Sequence, residues 1–306
     1  MSLFKRAGIK IRKVLTGDKS LPSLPPPNEK EAALISDLRK GMEALRSEKT
    51  TATDFWTRKR LELFENVKNK DPRAFTRWEV MYPMFFSPDP LELDYLKSSS
   101  SWKLYEDVLE EDRIGCPTPF HEFPSSSGNL IHHLYTLHRF IEESRTDLSS
   151  MHSIFEFGGG YGSFCRLCYK MGFRGSYYIF DLPEYSLMQS YFLKSLDLGL
   201  QVFVNDLGGD KGRVNLVSDI NLLPSVPAPD LWVGMWSLSE TPVAFRNEVF
   251  ERMRPSASWL IGFQEDFLGI NNREFFESWV QKRPGVKFSF LPISHMKGNH
   301  YLFGKS

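Results

Sequence analysis

After Met151 the chain falls into short apolar runs separated by stretches whose apolar residues recur every three or four positions. IFEF (Ile154–Phe157), YYIFD (Tyr177–Asp181), VNLVSD (Val214–Asp219), DLWVGMW (Asp230–Trp236) and SWLIGF (Ser258–Phe263) read as strands. Gly162–Met171, Glu184–Leu196, Val243–Met253 and Arg273–Val280 carry the helical spacing between them. Such alternation predicts an α/β fold with a parallel sheet covered on both faces. The ending VKFSFLPISHMKGNHYLFGK departs from it, reading as two strands about a turn near Lys297 and Gly298, so that the last strand runs antiparallel.

The first half has a different rhythm. Apolar residues from Glu29 to Arg46 and from Thr53 to Val67 predict two helices, and Asn129 to Glu143 a third that carries His132, His133 and His138. Between Asp71 and Ser127 the chain is rich in aromatics and prolines, which predicts irregular cover over a core. Three regions follow: a basic segment with a proline-rich linker (1–28), a mainly helical cap (29–150) and the α/β domain (151–306).

Composition narrows the options. In 306 residues, 41% apolar and 25% charged residues suffice for a real core, and 38 basic residues balance 38 acidic ones. No global field draws the chain to nucleic acid, and no apolar run approaches the length of about 18 residues that spans a membrane. The segment from Met1 to Leu15 is basic and amphipathic, which fits weak contact with an anionic membrane surface and equally a basic tail or a transit peptide; the location expected is cytoplasmic, with attachment at the inner membrane surface as an option. Cys165 and Cys168 form a C-x-x-C, but with Cys116 as the third cysteine they read as small core residues, not as a disulfide or metal framework.

IFEFGGGYGSF joins the first strand to its helix. A glycine-rich turn there lets a ligand approach backbone N–H groups at the positive end of a helix. A dinucleotide fingerprint would place a third glycine at Ser163. Here Gly158, Gly160 and Gly162 form G-x-G-x-G, and Glu156 stands two residues earlier, where it would oppose a diphosphate but welcome the cationic amino-acid end of S-adenosylmethionine. Asp181, ending the second strand, is placed to accept hydrogen bonds from ribose hydroxyls, and Asp219, ending the third, to reach the adenine. Tyr161, Leu182 and Trp236 complete the expected cofactor contacts. An NAD-dependent oxidoreductase is disfavoured by Glu156 and Ser163.

Over Met151 to Lys305 the sequence resembles class I S-adenosylmethionine-dependent methyltransferases. EFGGGYGSF, IFDLPE and SHMKGNHYLFGK are most similar to the sugar O-methyltransferase family of polysaccharide-modifying bacterial enzymes. The resemblance implies a Rossmann-like sheet with a terminal antiparallel hairpin, and methyl transfer to a sugar hydroxyl of a glycan, lipid-linked or free, or of a nucleotide-sugar. IFDLPE is also similar to phenol-directed O-methyltransferases, but GMWSLSETP lacks the histidine of their His-Asp-Trp signature.

In-line methyl transfer to a hydroxyl needs an aligned acceptor and a group to take its proton. Three segments reach the carboxyl edge of the expected sheet: MWSLSE with Glu240, QED with Asp266, and the terminal hairpin with His295 and His300. The two histidines are expected first as the base, since histidine is largely neutral at cellular pH. Asp266 and Glu240 follow, and a metal at Glu265–Asp266 is left open. Trp78, Tyr82, Phe85, Phe86 and Trp102 are offered as sugar-stacking faces or as packing. Methylation of another small hydroxylated metabolite, and a non-catalytic module of the same fold, stand as alternatives.

Overall fold

The computed structural model describes residues 24–45, 55–85, 89–207 and 212–306. The basic segment 1–15, the start of the linker, Thr53 and Asp54, and Phe86 lie outside the described residues. Among the described residues no helix is long and apolar enough to cross a membrane.

Helices α1 (Glu29–Leu45) and α2 (Phe55–Asn69) come first. Asn28 and Glu31 cap α1 reciprocally, each side chain accepting the other's backbone N–H at 2.9 Å. Two 3-10 segments, Pro72–Arg77 and Glu79–Met84, precede α3 (Pro90–Ser98) and α4 (Trp102–Val108). These two helices lie in the region expected to be irregular. Asp89 starts α3 by accepting from Leu91 N, with proline in the first turn. A small hairpin, β1 (Pro119–Phe120) and β2 (Phe123–Ser127), leads into α5 (Gly128–Ser144).

The remainder alternates as expected: β3 (Ser153–Phe157), α6 (Ser163–Lys170), β4 (Ser176–Phe180), α7 (Pro183–Ser195), β5 (Gln201–Val204), β6 (Arg213–Val217), β7 (Leu231–Met235), α8 (Val243–Arg252) and β8 (Ser258–Gln264). A two-stranded excursion, β9 (Asp266–Phe267) and β10 (Ile270–Asn271), precedes α9 (Asn272–Gln281), β11 (Lys287–Pro292) and β12 (Asn299–Lys305). The main sheet has the order β11-β12-β8-β7-β3-β4-β6-β5. Strands β3 to β8 are mutually parallel, while β12 runs antiparallel to both β8 and β11. The edge strand β5 is an addition to the expected set. It is four residues long and only one of them is buried, too short a pattern to stand out.

Strand alternation divides the sheet into two faces. Ile154, Tyr177, Ile179, Val233, Leu260 and Tyr301 share one core with α5, α6, α7 and the N-terminal helices. Phe155, Phe157, Trp232, Ile261, Phe263 and Leu302 share the other with α8 and α9. Helix α1 crosses α7 closely at Gly41, where a Cβ would stand 2.8 Å from Leu187 Cδ2. Cys165 and Cys168 are buried free thiols of the first core, their pKa raised by burial, which is the small-core-residue role expected of them.

Candidate functional site

The chain steps from β3 to β4 on one side and later sets β7 on the other side of β3. In an open α/β sheet the crevice outside the carboxyl ends at such a switch point is the favoured ligand site. A cleft of ≈ 550 Å³, its open mouth included, lies there between the turn after β3 and the loop after β7, with Trp56 and Met84 from the helical region at its rim.

The glycines serve different ends. Gly158, at φ +70°, lies under the β7 loop: an added Cβ would come 2.2 Å from Ser237 Cβ, and Ser237 Oγ donates to Gly158 O at 2.8 Å. Gly160, at φ +57°, lines the cleft, where an added Cβ would be in ordinary van der Waals contact with Met84 Sδ at 3.6 Å. The first glycine lets two loops meet; the second leaves backbone accessible from the cleft. Glu156, on the last turn of β3, is 2% exposed and accepts a hydrogen bond from Tyr177 Oη at 2.9 Å. Burial pushes its carboxyl up to about 8, the tyrosine hydrogen bond offsetting only part.

At the end of β4, Asp181 Oδ1 accepts from Leu182 N and Oδ2 from Gln189 Nε2, each at 2.8 Å. Gln189 Nε2 also donates to Gly160 O at 3.0 Å, so α7 ties the acid to the glycine turn. Burial raises Asp181 to about 7 against these hydrogen bonds. Tyr161 is wedged edge-on between Phe75, Phe85 and Phe192, and its hydroxyl accepts from Asn129 Nδ2 at 3.3 Å. Gly162, at φ +96°, caps the start of α6. Asp219 is exposed and caps the 3-10 turn Ile220–Ser225, accepting from Asn221 N and Nδ2 at 2.9 Å.

The opposite wall is the loop after β7. Trp236 adopts φ 63°, ψ −37°, and its Nε1 donates to Asn299 Oδ1 at 2.7 Å. The turn Ser237–Glu240 is gripped from behind by the fully buried Arg246, which donates to Ser239 O at 2.7 Å, Thr241 O at 2.8 Å and Asn272 Oδ1 at 2.6 Å. Glu240 is thereby presented to the cleft with Gln264 beside it, and burial raises it to about 8. His133 lines the cleft from α5, one turn beyond Asn129, sharing a hydrogen bond with Ser163 Oγ at 3.3 Å. Burial holds it neutral, at about 3.

Glu156, Gly158, Gly160, Tyr161, Trp236 and Glu240 thus meet around one cleft. Gly162, Asp181 and Leu182 adjoin it through the glycine turn and Gln189. The other candidates stand elsewhere. His300 is on the correct edge, opposite Phe263 in the ladder, but strand parity turns it to the α8–α9 face. There it stacks on Phe263 at 5.5 Å and pairs with Glu265 Oε1 at 2.6 Å. His295 is engaged by Glu92 Oε1 at 2.7 Å. Asp266 is exposed in the β9–β10 excursion, and among the described residues no group of three or more His, Cys, Asp or Glu is arranged to hold a metal ion. Trp78 is core, and Phe85 and Trp102 pack on Tyr161 and Phe123. Sequence reasoning missed Trp56, Met84 and Gln189. Gln189 carries the one usable signal, lying two helical turns after Asp181 on the following helix.

The cleft suits a ligand with a cationic head and a sugar: a desolvated acid at the head of an open glycine turn, and a second acid one strand away. No family model and no curated protein matches the chain. Among solved structures, mitomycin 7-O-methyltransferase is 15% identical, with 90% of this chain and 94% of that one covered, at a TM-score of 0.37. An O-methyltransferase family protein from Burkholderia thailandensis is 13% identical over 86% and 82%, at 0.40. An rRNA methylase from Streptococcus thermophilus is 13% identical over 56% and 95%, also at 0.40. At such scores these likenesses carry neither substrates nor residue roles across to this chain.

Proposed function

We propose that the protein is an S-adenosylmethionine-dependent O-methyltransferase whose acceptor is a sugar hydroxyl of a glycan. The observation that carries the reading is Glu156: a carboxyl 2% exposed, lining the cleft at the glycine turn with one tyrosine as its hydrogen-bond partner among the described residues. A buried acid so placed is stabilised as an anion by a cationic ligand group. Asp181, bridged to Gly160 through Gln189, is spaced to accept from a ribose, and Asn129 and His133 offer neutral polar contacts on one helix face. When bound, S-adenosylmethionine supplies a methyl group activated on positively charged sulfur.

Glu240 is the group we assign to take the acceptor's proton. It reaches the cleft, is braced by the Arg246 grip on its neighbours, and has a proton affinity near working pH, where a general base is most effective. The acceptor side favours an uncharged partner. The lining carries Glu156 and Glu240 and, among the described residues, no Lys or Arg, which disfavours the diphosphate of a nucleotide-sugar. Trp56, half-buried at the cleft, supplies an apolar ring of the kind sugars pack against.

Calorimetry with S-adenosylhomocysteine and with NAD tests the reading directly. The homocysteine compound should bind and NAD should not; binding of NAD alone would overturn it.

A further inference from the structure

Glu92 lies on α3, outside the cleft, yet its side chain is fully buried. Its Oε1 accepts from His132 Nδ1 on α5 and from His295 Nε2 in the β11–β12 turn, both at 2.7 Å. Its Oε2 is buried and makes no hydrogen bond among the described residues. An ionised carboxylate in such a place is expensive, and an apolar side chain of similar volume would often serve folding as well. The arrangement therefore asks what it holds in place.

Both histidines lead to Trp236. The His132 ring faces the indole with centroids 5.3 Å apart. The turn carrying His295 runs on into Asn299, whose Oδ1 takes the indole N–H at 2.7 Å. Trp236 is at φ 63°, a conformation that a side-chain-bearing residue keeps only when its surroundings over-determine it. It lines the cleft and leads into Ser237–Glu240, while His133, next to His132, lines the cleft from α5.

We propose that Glu92 is a positioning residue for the cleft: through His132 and His295 it holds Trp236, and with it the loop to Glu240, against the glycine turn. The inference rests on the reading that this cleft takes S-adenosylmethionine, and it makes His295 a brace instead of a base. It also makes the brace sensitive to pH. His295 is raised by its hydrogen bond to Glu92, against burial; Asp89 adds to the rise and Arg139 of α5 opposes it. Tyr135, edge-on to His295, Tyr301 of β12, held by Thr136 at 2.8 Å, and His133, which feels the charge of Glu92, face the pair besides His132 among the described residues. With its folded pKa raised, His295 keeps the brace at low pH and loosens it as pH rises through that value.

The test is S-adenosylhomocysteine affinity by calorimetry from pH 6 to 9 for the wild type, Glu92→Gln and His295→Gln. Expressing each result as a ratio to wild type cancels the titration of Glu156 and Asp181. At pH 6 the Glu92→Gln variant should bind on the order of tenfold more weakly, and the deficit should shrink toward pH 9. His295→Gln keeps a donor to Glu92 but cannot titrate, so its ratio should also change severalfold over that range, and it carries the test if Glu92→Gln does not fold. A pH-independent ratio for both variants, or one accompanied only by a lower melting temperature, overturns the proposal. If the wild type binds no homocysteine compound, it is the cofactor reading that falls. The 5-fluorotryptophan resonance of Trp236, assigned through Trp236→Phe, then decides for Glu92. It should shift with pH in the wild type and stay fixed in Glu92→Gln; equal behaviour overturns the brace.

Discussion

Glu156 and Glu92 are buried alike, at 2% and 0% exposure, and titrate in opposite directions. Burial pushes both up. At Glu156 one tyrosine hydroxyl is the opposing partner, and the carboxyl ends at about 8. At Glu92 the charge and hydrogen bond of His132, followed by those of His295, overcome burial and bring it down to about 2. The charge of one acid is met by two histidines of the protein itself, although its second oxygen has no hydrogen bond among the described residues; the other acid meets no cationic partner among the described residues. A buried group whose electrostatics are not closed within the chain points to a ligand that closes them. Glu92, whose charge is met by His132 and His295, points to architecture.

The widest break of this contrast is Glu156→Gln. Removing the charge proposed to meet a cationic ligand group should cost on the order of a hundredfold or more in S-adenosylhomocysteine affinity, in line with the 2–5 kcal/mol typical of a buried charged hydrogen bond. Calorimetry reads it, and a loss below about threefold would make Glu156 an acid of the same kind as Glu92. Next comes Glu240→Gln. Affinity for the homocysteine compound should stay within about twofold while methyl transfer to glycan falls on the order of a hundredfold, the usual weight of general-base assistance. Radiolabelled methyl incorporation measures the second quantity, and an equal fall in both would place Glu240 among the cofactor contacts.

The part of the cleft proposed to take the cofactor was legible because it is local: Glu156, Gly158, Gly160 and Gly162 lie within one strand–turn–helix unit whose order fixes their geometry. Asp181 was legible for the same reason, ending the next strand. The part proposed to take the acceptor was not, because it is assembled from distant segments. Trp56 comes from α2, which packs on α7 beside the completed sheet; outside the cleft, Glu92 meets His295 across 203 positions of sequence. No spacing rule encodes such a meeting. His300 failed on a finer point, since sequence placed it on the right edge of the sheet but not on one of its two faces.

A smaller effect, and a test of the contrast within one measurement, is the pH dependence of thermal stability without ligand. Glu156 and Glu240 at about 8 and Asp181 at about 7 are raised above unfolded carboxyls, so the folded state binds more protons from about pH 4.5 upward. Stability from these groups is therefore lost as pH rises from 5 to 8. Glu92, lowered to about 2, contributes stability above its unfolded value and loses it as pH falls through the acid range. The melting temperature should peak near pH 5 and decline on both sides. Glu156→Gln should flatten the alkaline limb by a few degrees and leave the acid limb alone. His295 adds to the alkaline decline, so the difference between variant and wild type is the quantity to read. Flattening of the acid limb instead would reverse the two assignments.

The smallest effect expected is that of His300→Ala. Along β12, Tyr301 and Phe303 pack with the cleft-side core, so His300 must point the other way, where it stacks on Phe263 and pairs with Glu265, itself half exposed. An ion pair with one exposed partner contributes little, and the lost ring contact accounts for most of an expected 1–2 kcal/mol of stability, about what truncating a partly buried ring costs. Cofactor affinity should hold within about twofold and methyl transfer within about threefold, measured as for Glu240→Gln. A collapse of transfer with affinity intact would mean that the β11–β12 hairpin turns its other face to the cleft during turnover. That would break the ladder between Asn299–Lys305 and Ser258–Gln264, and Glu240 would lose its assignment as proton acceptor to a histidine carried in from the opposite face.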